Sequence, residues 1–110
     1  VKGKLYIFKP GQRVPETRDL FAPLGHLDIH AIVGGPIELV PGFNEFDGER
    51  CAVFCHEEGK LIDPPLPANN VATALWADTL GMPVYVLAGR DFLVGTIAIV
   101  TGDDELMNAM

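Results

Sequence analysis

Serine is missing altogether from this 110-residue chain, so neither a G-x-S-x-G elbow nor any other serine nucleophile can be built. The threonines at 17, 73, 79, 96 and 101 stand in no recognisable nucleophile context. Cysteine is nearly as scarce, at two, which makes no disulfide framework and suits a reducing compartment. Basic side chains are also few: eight Lys and Arg against fifteen Asp and Glu leave a formal net charge of −7. A field of that sign repels phosphate backbones and anionic membranes, so nucleic acid and membrane are not expected partners. An acidic surface would instead suit a basic protein or imitate nucleic acid, although −7 is also an ordinary solubility charge at this size. No segment approaches the ~20 apolar residues of a membrane helix. In VKGKLYIFKPGQ, Lys9 and Pro10 arrive before a signal-peptide core develops, so the expected location is the cytoplasm.

What the chain does have is apolar surface. With 48% hydrophobic and 21% charged residues it reads as a globular chain forming one domain over 1–110. KLYIF, Lys4 to Phe8, reads as a first strand stopped by Pro10 and Gly11, and RVPETRDLFAP as an irregular polar stretch. Pro23, Leu24, Leu27, Ala31 and Ile32 recur at helical spacing, which predicts a helix over 23–33 closed by Gly34. PIELVPGF alternates, with Ile37 and Leu39 on one side and Glu38 and Val40 on the other. NEFDGER reads as a turn, CAVFCH as an interior strand apolar on both faces, and KLID as the return from it. DPPLPANN is a stiff spacer, after which Asn69 or Asn70 can cap a helix running to Leu80 and Gly81. PVYVL and LVGTIAIV read as a hairpin joined by AGRDF, and residues 103–110 as a frayed acidic tail.

The resulting order, β-α-β-β-β-α-β-β, is that of an α+β domain with a largely antiparallel sheet and two helices. Two short helices cover one face only, while CAVFCH and LVGTIAIV are apolar on both. The second face is therefore expected to curl, to take loops, or to pair with another copy as a homodimer.

Candidate chemistry concentrates between Cys51 and Lys60, where two cysteines, a histidine, two carboxylates and a lysine crowd together. On a strand Cys51 and Cys55 share a face about 13 Å apart, too far to bridge, and His56 points to the opposite face from Cys55. Buried free thiols are the expectation. His56, Glu57, Glu58 and Gly59 fit a type I turn with a left-handed glycine bulge, leaving both glutamates in water, where nothing raises their pKa for acid catalysis. His26 and His30, four apart on the first helix, are the weak metal candidates, for want of a third ligand at recognisable spacing. The glycine pair in VGGPIE closes a helix where a phosphate loop would open one, and no cofactor is implied.

Three segments together, IVGGPIELVP from Ile32, HEEGKLIDPPLPANNVATAL from His56 and RDFLVGTIAIV from Arg90, resemble a family of short phage, plasmid and bacterial proteins known only as domain of unknown function 3846. Its members show a helix ending V-G-G before an I-E strand, a strand ending N-E-E-G-K, an asparagine-alanine helix start and a closing D-x-x-V-G strand. Cys55 and His56 replace the usual asparagine before the two glutamates, and the spacer is richer in proline. The resemblance implies a small protein associated with mobile elements and transfers no catalytic residue.

No complete catalytic constellation is visible, which favours a non-enzymatic domain binding a protein or small-ligand partner. The candidate surface consists of Glu57, Glu58, Lys60, Asn70, Arg90 and Asp91. The alternatives are an enzyme or metal-dependent binder that gathers these groups with the histidines, and a purely structural homodimer.

Overall fold

The computed structural model describes residues 1–110 as ten elements: β1 Gly3–Phe8, β2 Glu16–Leu20, α1 His26–Val33, β3 Ile37–Leu39, β4 Glu45–Phe46, β5 Glu49–His56, α2 Asn70–Leu80, α3 Val84–Ala88, β6 Ile97–Gly102 and α4 Asp104–Asn108. The six strands make one antiparallel sheet in the order β2-β1-β6-β5-β3, with β4 paired to β5 off that path. The chain is an α+β domain, as its pattern predicts.

The central strands are apolar on both sides because both sides are covered. On one face Phe8, Cys51, Val53, Cys55, Ile97 and Ile99 pack beneath Ala72, Trp76 and Ala77 of α2 and Leu87 of α3. On the other, Leu5, Ile7, Phe54, Ala98 and Val100 pack beneath Ile29 and Val33 of α1 and Leu106 and Met107 of α4. Helices on both faces remove the uncovered side from which a second copy was expected.

Four departures from the sequence reading have physical causes. The stretch read as irregular contains β2, paired with β1 from Gly3↔Leu20 to Ile7↔Glu16. Four of its five residues are exposed, so no alternation marks it, and its charges suit a sheet edge. PVYVL is the short helix α3 rather than a strand; burial of Leu87 outweighs the weak β preference of its valines. No hairpin therefore precedes β6. Residues 93–95 run instead beside the proline spacer: Asn69 N–H donates to Leu93 C=O, Gly95 N–H to Pro67 C=O, and Ala68 bridges Val94. The tail is not frayed, because residues 104–108 form α4, whose Leu106 is fully buried and whose cap Asp103 accepts from Leu106 N–H at 2.9 Å.

The fourth correction concerns two turns. The left-handed hairpin turn lies at Asp47 (φ 54°) and Gly48 (φ 76°), joining β4 to β5 with the two residues that a type I′ turn prefers. Gly59 is not left-handed, and KLID is not a strand. Gly59 is buried, and a Cβ there would lie 2.8 Å from Val94 Cγ2 and 3.2 Å from Leu66 Cδ1. Glycine is required there for space rather than for dihedral freedom.

Candidate functional site

β5 hydrogen-bonds to β3 with Ile37↔His56, Glu38↔Cys55 and Leu39↔Phe54 as partners. This register sets Glu38 and Cys55 side by side on the α2 face, and the Cys55 thiol donates to Glu38 Oε1 at 3.8 Å. Beyond His56 the chain turns back: Gly59 N–H donates to His56 C=O, and Leu66 N–H donates to Gly59 C=O. Since residues 67–69 are fastened to residues 93–95, the turn after β5 is brought against the loop after α3. Lys60 meets Asp91 there as an ion pair, and its Nζ stands 4.6 Å from the Phe92 ring centroid. Asp91 Oδ1 also accepts from the Phe92 N–H at 2.8 Å, which fixes the carboxylate that Lys60 reaches.

Between these parts lies a groove of about 190 Å³. Val40, Pro41, Leu61, Trp76, Phe92 and Leu93 form its apolar walls, while Glu38, Cys55, His56, Glu57, Lys60 and Asp91 supply its polar groups. Trp76 is held in place, its indole N–H donating to the Pro41 carbonyl at 2.9 Å. Leu61 and Phe92 form an exposed lip, 83% and 41% open to solvent.

The two cysteines and the histidine of β5 are not poised for acid/base work. Burial, with Glu38 alongside, pushes the Cys55 thiol up to about 12. Burial, with Glu45 nearby, pushes Cys51 up to about 11. Both cysteines are free and buried, and neither is a thiolate at neutral pH. His56 Nδ1 accepts from the Glu58 N–H at 3.0 Å, so in the neutral ring the proton sits on Nε2, beside Gly35. The ring thus does not face Cys55 as a base would.

Of the sequence candidates, Glu57, Lys60 and Asp91 line the groove. Glu58 and Arg90 are exposed beside it without lining it, and Asn70 is the exposed first residue of α2. The capping is done by Asn69, 1% exposed, whose side chain accepts from Ala72 N–H. His26 and His30 stand on α1 with ring centroids 6.4 Å apart and take no part in the groove. No three His, Cys, Asp or Glu side chains come close enough to hold a metal ion. Sequence reasoning missed Glu38, Trp76, Leu61 and Phe92. The alternation that sets Glu38 and Val40 on one side of β3 was the available signal for the first; for the others only the packing of distant segments reveals the wall.

Fold and site together define a small α+β domain with a tryptophan-walled groove at the end of its sheet, built from a strand end, a turn and a loop. The chain belongs to the family described as Domain of unknown function (DUF3846), whose pattern it matches over residues 3–108. No curated protein and no solved structure matches it. No helix is long and apolar enough to cross a membrane.

Proposed function

We propose that this domain is a non-enzymatic binding module, which takes a short segment of a protein partner into the groove between β3, the 57–62 turn and the 91–94 loop. The observation that carries this reading is the groove itself: apolar and aromatic walls with a few polar groups converging on them, the usual makeup of a recognition site. Its volume, about 190 Å³, falls below the roughly 300 Å³ at which small-molecule and cofactor sites begin. One side chain fits there better than a whole cofactor does. The Cys55 thiol stays protonated beside Glu38, and the imidazole is engaged by the Glu58 N–H, which weighs against covalent chemistry. Metal-assisted chemistry would need His26 and His30 in the cleft with Glu57, Glu58 and Lys60, and neither histidine lines it. A cytoplasmic life among mobile-element proteins accords with the family resemblance, and homodimerisation remains a role that a light-scattering mass would detect.

The test is selection from a displayed random-peptide library on the immobilised protein, followed by transfer of the selected peptides to a Leu61→Asp/Phe92→Ala variant. Both positions are exposed, so the variant should fold normally. Selected peptides should lose at least tenfold in affinity on the variant, because a charge and a missing ring break the lip. Peptides that bind both proteins equally would place recognition elsewhere and sink the proposal.

A further inference from the structure

The groove already holds one cation of its own. The Lys60 ammonium sits over the Phe92 ring and on Asp91, an arrangement in which ring quadrupole and carboxylate both attract positive charge. Two further carboxylates line the same groove, Glu38 and Glu57. Neither has a basic partner: the ion pairs of the chain join the N-terminus to Asp103 and Glu105, Arg18 to Glu16, and Lys60 to Asp91. Glu38 accepts only the weak bond from the Cys55 thiol, and its charge helps to hold that thiol protonated. Across the lining, three carboxylates face one lysine, within a chain whose net charge is −7.

We propose that the groove recognises a basic protein segment by admitting an arginine side chain, whose guanidinium lies against Glu38 and Glu57 with its plane towards Phe92. Resting on the reading of this groove as the binding site, the proposal names the chemistry of the partner. Arginine suits the site better than lysine, because a planar, weakly hydrated fork can pair with a carboxylate and stack on a ring at once. Lys60 then acts as a tethered competitor that the guest must displace or share with.

Trp76 is the only tryptophan of the chain and lines the groove, so its fluorescence reports occupancy directly. The probe is a capped arginine-glycine peptide, titrated beside the same peptide with glutamate, and then leucine, in place of arginine. The arginine peptide should change Trp76 emission saturably, with an affinity that falls as salt rises from 0.05 to 0.5 M. Glu57→Gln combined with Glu38→Gln should weaken it at least fivefold. Lys60→Met should tighten it about two- to five-fold, the range expected when an exposed competing ion pair is lost. A glutamate or leucine peptide that binds in preference, with Lys60→Met abolishing or not changing the affinity, overturns the arginine assignment while the groove stays the binding site. No response of Trp76 to any of the three peptides, together with library peptides that ignore the Leu61→Asp/Phe92→Ala lip, overturns both.

Discussion

Asn69 should cost the fold more than any other polar residue when replaced. It is 1% exposed, and its side chain is used at both ends: Oδ1 accepts from Ala72 N–H at 3.1 Å, while Nδ2 donates to the Phe8 and Gly95 carbonyls, each at 2.9 Å. One amide therefore caps α2, grips the end of β1 and fixes the entry into β6. Alanine removes the cap, at about 1 kcal/mol. It also leaves two buried carbonyls without their donor, at about 1 kcal/mol each. The expected loss is about 3 kcal/mol, a large part of the roughly 5–15 kcal/mol that such a domain has. With a urea slope of about 2 kcal/mol/M, the unfolding midpoint should fall by about 1.5 M. Aspartate is the discriminating substitution. It equals asparagine as a helix cap, yet it presents an acceptor where two carbonyls need a donor. Asn69→Asp should therefore unfold at least as early as Asn69→Ala. An aspartate variant within about 0.5 kcal/mol of the parent would refute the reasoning and reduce Asn69 to a cap alone.

The C-terminal helix yields a second test: Leu106→Ala should destabilise by about 2–5 kcal/mol in the same urea assay because Leu106 is fully buried, whereas a frayed tail would give less than about 0.5 kcal/mol. The cysteines yield a third. With Cys51 and Cys55 raised from 9.0 to about 11 and about 12, iodoacetamide at pH 8 should label neither in the folded protein and both in urea. The unfolded thiols ionise near pH 9 while the folded ones stay protonated, so stability is full below pH 9 and declines as pH rises through about 11 to 12. A thermal midpoint that does not change between pH 8 and pH 11 would contradict the burial argument.

The legible parts of the fold were those where local chemistry and packing agree. The alternation of β3, the doubly apolar β5, the Asn69 cap and the left-handed Gly34 closing α1 can all be read from short windows. What failed were elements whose state depends on distant partners. β2 is an edge strand without an apolar face, and α3 is a valine-rich segment turned helical by the burial of Leu87. α4 looks like an acidic tail until Leu106 and Met107 are seen filling the face left open by α1. The expectation of an uncovered face, to be closed by curling, by loops or by a second copy, followed from reading α4 as a tail. The site was legible to a similar degree: Glu57, Lys60 and Asp91 do line one groove, but Glu38 joins them through strand register and Trp76 through helix packing, which short windows do not display together.

The groove and the core are joined by the proline spacer. Lys60 reaches Asp91 only because residues 66–69 run back along residues 93–95, through Leu66 to Gly59, Gly95 to Pro67 and Asn69 to Leu93. Thr73 adds to this fastening, its hydroxyl accepting from the Leu93 N–H at 3.0 Å while donating to the Asn69 carbonyl at 2.8 Å. These bonds order both walls before any partner arrives, so a guest need not supply that ordering entropy itself. Two kinds of substitution should separate as a result. Changes at Lys60 or Glu57, whose side chains lie at the solvent boundary, should alter affinity and leave the urea midpoint where it was. Changes at Asn69 should lower the midpoint and loosen the groove together. Peptide affinity unaffected by Asn69→Ala, measured at a temperature where the variant is still folded, would mean that the spacer does not hold the walls in register.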